Sequence, residues 1–350
     1  MQKFLAITLF ALVSLTSQAA GITNFTGAGS SAAAPIYRSW AAEYQKQSGA
    51  VLSYDPVGSS AGLKKIRAGE TGFGASDVAP SQAELDKDGL VLFPVAITGI
   101  APVFNLPAIR TGQLRLNGDL LARIFMGEIK RWNATPIAQL NPELTLPATP
   151  IKVLVRSDGS GTTYNFSDYL AKVNPAWKEK MGVKTTIVWP TGFIGVKGSD
   201  GVVKGMKNTV GAIGYVDFGY VKDNDLRAVK MKNAEEEFLY PSISGFKSAL
   251  SNSDWVKKSN FTTTLTNHRG RETWPITMGT FALVPRITDN VARTQPALQF
   301  FVWAFMNGDA LVQKNNFVRL PDRVQALAFK AIASVQDIQG HTLNLNLTPY

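Results

Sequence analysis

Short apolar runs alternate with amphipathic stretches along most of the chain. The pattern predicts helices over residues 33–47 and 61–68 and strands over residues 51–57 and 73–76. In the first helix, Ile36, Trp40 and Tyr44 recur at helical spacing. A β-α-β-α order is typical of a sheet covered by helices, so the pattern predicts the α/β class.

The same order resumes in the second half of the chain. We expect strands over residues 95–105, 151–156, 211–216 and 280–284 and helices over residues 162–173 and 297–306. The mixture of charges with Gly and Pro over residues 234–246 predicts a surface insertion. The polar residues 341–350 predict an extended tail.

The N-terminus has the pattern of a secretory signal peptide over residues 1–19. Lys3 supplies the positive charge, residues 4–15 form an apolar stretch too short to span a bilayer, and small residues precede a cleavage point after Ala19. The alternative is a buried N-terminal helix. Because no Cys follows the apolar stretch, we expect a periplasmic protein that is exported, cleaved and not lipidated.

Composition narrows the possible chemistry. The 350 residues include no Cys and two His, which excludes disulfide scaffolds, Cys-ligated metal sites and thiol catalysis. The formal net charge is +10, and residues 99–284 carry 23 basic against 15 acidic side chains. An exported protein has little access to nucleic acid. The excess either steers an anion or orients the protein at a membrane, or it is a solvated basic face without a role.

Four segments rich in Ser and Gly carry the chemical signal. They are TGAGSSA (26–32), GSSAG (58–62), GASD (74–77) and RSDGSGT (156–162). Three of them directly precede a predicted helix, where free backbone N–H groups and the helix dipole favour an anion. Each Ser or Thr alone could be a simple N-cap. Together, beside an Arg, the segments predict an oxyanion site.

Two charged features refine this hypothesis. Arg156 and Asp158 lie on one face of a strand end, so Asp158 can hold the guanidinium while Arg156 offers its fork to an anion. The alternative is a surface ion pair of small value. Asp77 would repel a fully deprotonated oxyanion but accepts a hydrogen bond from a ligand that carries a proton, such as hydrogen phosphate. Its alternative role is that of a helix or turn cap.

Two enzymatic interpretations receive little support. GSSAG (58–62) matches the nucleophile-elbow pattern, but only His268 and His341 are available as a base. No phosphate-binding loop of the nucleotide hydrolases occurs. We therefore expect a protein that is not an enzyme and needs no cofactor or metal.

At this point the chain resembles the periplasmic phosphate-binding proteins of bacterial phosphate ABC transporters. The resemblance rests on TGAGSSAAAP (26–35), DPVGSSAGLKKI (55–66), FGASD (73–77), GEIKRW (127–132), RSDGSGT (156–162), WPTG (189–192), GAIGYV (211–216) and WPIT (274–277). It implies a two-lobed, type II-like binding protein with two α/β lobes joined by a two-strand hinge. Lobe one comprises residues 20–97 and 285–350, and lobe two comprises residues 98–284. The two lobes would close on the anion.

The resemblance also implies which residues bind phosphate. They are Ser31, the Ala32 amide, Ser59, Asp77, Arg156, Ser160, Gly161 and Thr162, with Asp158 supporting Arg156. Members of the family often carry Thr and a bulky aromatic residue where Ser31 and Ala32 stand. The serine keeps the hydroxyl donor, and the smaller Ala32 could loosen local packing.

The implied function is high-affinity phosphate binding and delivery to the permease subunits of an ABC transporter by a monomer that does not bind nucleic acid. Three alternatives stay open. They are a receptor for another oxyanion, a secreted phosphatase, and a surface protein that binds anionic polymers.

Overall fold

The computed structural model describes residues 23–258 and 260–345. Their strands are β1 (Asn24–Gly29), β2 (Val51–Asp55), β3 (Phe73–Ser76), β4 (Leu90–Phe104), β5 (Arg115–Leu116), β6 (Lys152–Arg156), β7 (Ile194–Val196), β8 (Ala212–Asp217), β9 (Arg227–Ala228), β10 (Lys230–Lys232), β11 (Phe238–Leu239), β12 (Thr277–Pro285), β13 (Ile287–Thr288) and β14 (Gln336–Asp337).

The helices lie between these strands. They are α1 (Ala34–Ser48), α2 (Ser59–Arg67), α3 (Gln82–Asp88), α4 (Gly118–Phe125), α5 (Thr135–Leu140), α6 (Gly161–Val173), α7 (Pro175–Lys180), α8 (Gly198–Asn208), α9 (Phe218–Asp223), α10 (Ile243–Ser251), α11 (Asp254–Lys258), α12 (Val291–Asn307), α13 (Asp309–Lys314) and α14 (Asp322–Ala333). The predicted α/β class is confirmed.

One continuous sheet connects the two lobes. Its strand order is β2-β1-β3-β12-β4-β8-β6-β7, with β9 also paired to β4. The first part of β4 pairs antiparallel with β12, and its last five residues pair with β8. β4 therefore passes from the sheet of lobe one into the sheet of lobe two. The sequence assigns most of β12 to lobe two, but β12 pairs with β3 of lobe one. Strand pairing therefore does not fix where one lobe ends and the other begins, and the position of the boundary stays a prediction.

Aromatic side chains fill the core of lobe one. Phe73 of β3 packs edge-on against Phe301 of α12, with ring centroids 4.9 Å apart, and Tyr37 of α1 contacts both rings. All three side chains are buried. This packing fixes α1 and α12 against the sheet, so the first turn of α1 has a defined position at the end of β1.

A second aromatic group holds lobe two together. Phe166 of α6 stacks on Tyr215 of β8 with ring centroids 4.2 Å apart, and Phe125 of α4 packs on both. The Tyr215 hydroxyl is 2.6 Å from Thr163 Oγ1 in the first turn of α6. These contacts anchor the start of α6 on the sheet.

The structure corrects one expectation. Residues 234–246 do not form a simple surface insertion, because β11 pairs with β10 and the segment ends inside α10. Phe246 is fully buried, and its ring fills the space that a side chain at Gly99 of β4 would need. The three glutamates at 235–237 and the Pro, Ser and Gly that follow them concealed the buried face of this helix.

Two further expectations concern the ends of the chain. The predicted signal peptide over residues 1–19 lies outside the described residues, as do residues 346–350 of the tail. Within the described part of the tail, Thr342 forms an isolated bridge with Gln336. No helix in the described part of the chain has the length and apolarity needed to cross a membrane.

Candidate anion-binding site

Helix N-termini from the two lobes meet in pairs. At the start of α2, Ser60 N–H donates to Gly159 O over 3.1 Å, just before α6 begins. In the second pair, Ser199 N–H in the first turn of α8 donates to Ser31 Oγ over 3.1 Å, just before α1 begins. Each N-terminus contributes partial positive charge and backbone N–H groups to the shared region.

The contact between α2 and α6 depends on the absence of a side chain at Gly161. A Cβ atom there would lie 2.5 Å from Ser59 Oγ and 2.7 Å from Asp77 Cβ. Both distances are too short for a real Cβ atom. The glycine therefore lets the backbone of lobe two approach two predicted site residues of lobe one.

Ser59 is placed to donate a hydrogen bond. Its Oγ accepts from Asp77 N over 3.1 Å and from Gly161 N over 3.2 Å. Two N–H donors occupy the acceptor capacity of the oxygen, so the hydroxyl proton is the group left for a ligand. The Gly161 amide, which the resemblance assigned to phosphate, donates to Ser59 here.

Arg156 and Asp158 form a buried ion pair. Arg156 Nε donates to Asp158 Oδ1 over 2.7 Å, and Nη2 donates to Oδ2. The Arg156 side chain is 2% exposed, so the pair is not a surface contact. Asp158 also accepts from Gly198 N at the start of α8 over 3.1 Å. The carboxylate uses one edge of the guanidinium and leaves the edge with Nη1 for an anion.

Asp77 is a buried carboxylate at the end of β3. Ser30 Oγ donates to its Oδ2 over 2.7 Å, whereas Oδ1 has no hydrogen-bond partner among the described residues. Burial raises the pKa of Asp77 to about 6, against the lowering effect of nearby hydroxyl groups and of Arg156. At neutral pH this carboxyl group is mostly ionised, and its Oδ1 can accept a hydrogen bond from a ligand that carries a proton.

The remaining predicted residues supply donors from both lobes. Thr162 Oγ1 is buried and has no partner among the described residues. Ser160 caps α6 by accepting from Thr163 N over 3.1 Å, which leaves its hydroxyl proton available. Ala32 is buried, and its backbone N–H makes no hydrogen bond within the described part of the chain. The predicted residues therefore lie in one buried, polar region between the lobes.

Sequence reasoning missed several residues in this region. Ser199 follows Gly198 at the start of α8, so the rule that found the other Ser/Gly turns could have found it. Tyr220 donates its hydroxyl to Ser31 O over 2.9 Å, and Asn165 donates to Asp77 O over 2.7 Å. Neither lies in a glycine-rich turn, and no local pattern marks them.

A metal centre is not indicated by the described residues, which contain no group of three or more His, Asp or Glu side chains suited to hold a metal ion. The polar atoms of the site are mostly donors. Hydroxyls, backbone N–H groups and one guanidinium suit an oxyanion rather than a cation.

Comparison with known sequences identifies close relatives. A family model described as a PBP superfamily domain matches residues 15–268. The phosphate-binding protein PstS of Xylella fastidiosa (strain Temecula1) is 42% identical over 298 residues, which cover 85% of this chain and 82% of that protein. The protein of the same name from Pasteurella multocida (strain Pm70) is 40% identical over 344 residues, which cover 98% of each chain.

Solved structures share the fold. A phosphate-binding protein from Stenotrophomonas maltophilia has a TM-score of 0.64 at 20% identity, with 87% of this chain and 93% of that chain covered. A periplasmic phosphate-binding protein solved with phosphate, PfluDING, has a TM-score of 0.67 at 20% identity, with 88% and 93% covered. These likenesses support the predicted two-lobed fold.

Proposed function

Because the chain belongs to the PstS family of phosphate-binding proteins, we propose that it binds inorganic phosphate between its two lobes and delivers it to the permease of a phosphate ABC transporter. It acts as a monomeric receptor in the periplasm and catalyses no reaction. The ligand is the hydrogen phosphate dianion. Gly161 acts through its hydrogen bond to Ser59, and the anion is held by the other residues named from the sequence: Ser31, the Ala32 amide, Ser59, Asp77, Arg156, Ser160 and Thr162.

One observation carries the proposal. Among the described residues, Asp77 Oδ1 of lobe one and Thr162 Oγ1 of lobe two are buried polar atoms without a hydrogen-bond partner, and both lie in the region where the lobes meet. A buried polar atom without a partner costs free energy, so a ligand that satisfies both atoms gains affinity from both. A phosphate that carries one proton supplies what each atom needs, a donor for Asp77 and an acceptor for Thr162.

The charges of the site favour the same ligand. Arg156 is offset by Asp158, and Asp77 adds one negative charge, so the side chains alone do not attract a dianion. Helix N-termini and hydroxyls must supply the attraction. Such a site discriminates by hydrogen bonding, because a ligand without a proton leaves Asp77 facing an oxygen lone pair.

Calorimetric titration of the purified protein with phosphate and with sulfate tests this function. We expect tight binding of phosphate and at least about a hundredfold weaker binding of sulfate, as is typical when a buried polar group is left unpaired. Equal affinity for the two anions, or no binding of phosphate, would overturn the proposal. Release of phosphate from a chromogenic ester would instead favour an enzyme.

A further inference from the structure

Two side chains of lobe two donate hydrogen bonds to the backbone of lobe one beside the proposed anion site. Neither side chain is part of that site. Asn165 Nδ2 donates to Asp77 O over 2.7 Å, and Tyr220 OH donates to Ser31 O over 2.9 Å. Asn165 is 3% exposed and Tyr220 is 5% exposed. Both acceptors are main-chain carbonyls of residues that the proposed function places on phosphate.

We propose that Asn165 and Tyr220 form a latch that holds the lobes together and positions Ser31 and Asp77 for the anion. The inference rests on the proposed function for its choice of ligand, but the latch itself involves lobe-to-lobe contacts alone. Neither side chain is one of the proposed phosphate contacts, so both are positioning residues.

The position of Asn165 in α6 brings its side-chain amide close to both lobes. Asn165 lies one turn after the start of α6, and the same Nδ2 atom that reaches Asp77 O also donates to Gly161 O over 3.0 Å. One amide group therefore joins Gly161 to Asp77 across the boundary between the lobes. These hydrogen bonds link the first turn of α6 to the end of β3 beside the proposed anion site.

The helix that carries Tyr220 is held in place by a buried carboxylate at its N-terminus. Tyr220 lies in α9, whose N-cap Asp217 accepts from Gly219 N over 2.8 Å. The other oxygen of Asp217 accepts from Thr98 Oγ1 on β4, the strand that connects the lobes. The phenol thus joins the connecting strand, through α9, to the turn that carries Ser31.

A latch of this kind affects how fast phosphate is released and leaves the proposed contacts with phosphate in place. When the lobes separate, both carbonyls and both donors return to water, so each hydrogen bond contributes only the net value of a protein hydrogen bond. Removing one is expected to speed phosphate release by about two- to tenfold, with little change in association. It also lowers the fraction of ligand-free protein that is closed.

The test compares Tyr220→Phe and Asn165→Ala with Tyr169→Phe. Tyr169 lies in lobe two and is also buried, but its hydroxyl faces Gly118 of the same lobe. Release of radiolabelled phosphate into excess unlabelled phosphate gives the dissociation rate. Small-angle scattering of ligand-free protein gives the balance between open and closed forms.

We expect both latch variants to release phosphate faster than Tyr169→Phe and to scatter as a more extended molecule when ligand-free. Thermal unfolding of the ligand-free variants separates this effect from a loss of folding stability, which would lower the melting temperature without changing the scattering of the folded protein. Release rates and scattering equal to those of Tyr169→Phe would overturn the latch. If the wild-type protein binds no phosphate, the proposed function fails, and the scattering comparison still decides on the latch.

Discussion

At the residue scale, the proposed function makes Asp77 the group that selects between oxyanions. Its oxygen Oδ1, which has no hydrogen-bond partner among residues 23–258 and 260–345, is acceptor-only when ionised. Replacement by Asn keeps the shape and removes the charge, and the amide can turn its NH2 group toward an anion. We expect Asp77→Asn to bind sulfate at least about tenfold more tightly than the wild type, because a repulsion becomes a donor contact. Competition calorimetry measures this directly, and an unchanged preference for phosphate would remove Asp77 from the selectivity mechanism.

The raised pKa of Asp77 adds a dependence on pH. With the pKa raised to about 6 by burial, the carboxylate is ionised above pH 6 and increasingly protonated below it. A protonated carboxyl group can donate to sulfate. We expect the affinity for sulfate to increase as the pH falls from about 7.5 to about 5.

Asp77→Asn is the control for this titration. It has no carboxyl group at this position, so its sulfate affinity should show no corresponding increase over the same range. A wild-type protein whose sulfate affinity is constant through pH 6 would contradict the assignment.

Arg156 contributes the one cation of the proposed site. Its removal leaves Asp158 buried without its partner and leaves Asp77 as the nearest charge to the anion. We expect Arg156→Ala to weaken phosphate binding by about tenfold or more, since a charge-assisted contact is lost. Arg115→Ala is the matched control, because Arg115 lies on the surface of lobe two and pairs with Glu143. Equal phosphate affinity in the two variants would exclude Arg156 from the site.

At the element scale, the sequence predicted helices and strands more reliably than their contacts. Residues 73–76 are a strand as expected, and α6 begins one residue before its predicted start, because alternation and Ser/Gly turns are local signals. The latch residues had no such signal, since Asn165 and Tyr220 meet their partners across the boundary between the lobes. The Gly161 amide shows the same limit. The sequence pattern predicted that this N–H group donates a hydrogen bond, but only the fold shows that Ser59 Oγ is the acceptor.

The junction of β8 and α9 contains a second buried carboxylate. Burial raises the pKa of Asp217 to about 7, although Thr98 and the Gly219 amide donate to it. The folded state therefore binds more protons than the unfolded state between about pH 4 and pH 7. Because of this difference, the contribution of Asp217 to the free energy of unfolding falls as the pH rises. Asn can keep both hydrogen bonds, because its oxygen accepts from Gly219 and its NH2 group donates to Thr98.

We expect Asp217→Asn to raise the free energy of unfolding at pH 8 by on the order of 3 kcal/mol, with little change at pH 4. Urea denaturation at the two pH values measures the difference. Asp217→Ala is the control, because it removes the charge and both hydrogen bonds and should be less stable than Asp217→Asn at both pH values. An equal effect of Asp217→Asn at pH 4 and pH 8 would contradict the shifted titration.

At the scale of the whole molecule, the basic excess lies mostly outside the anion site. Residues 99–284 carry 23 basic and 15 acidic side chains, and of these cations only Arg156 belongs to the proposed site. Many others are exposed, including Lys197, which directly precedes α8, and Lys152, at the opposite end of β6 from Arg156. This arrangement can attract a dianion from a distance but cannot hold it.

Steering of this kind predicts a salt-dependent association rate. The range of a surface charge falls from about 30 Å at 0.01 M salt to about 3 Å at 1 M salt. We expect the association rate for phosphate to fall over this range, while the dissociation rate changes little. Lys197→Gln should slow association at low salt more than Lys152→Gln, since β6 rises about 3.3 Å per residue and so places Lys152 about 13 Å further from the site than Arg156. At high salt the two variants should match the wild type. Stopped-flow measurement decides between steering and a basic face without a role, because the latter gives a rate independent of salt and identical in both variants.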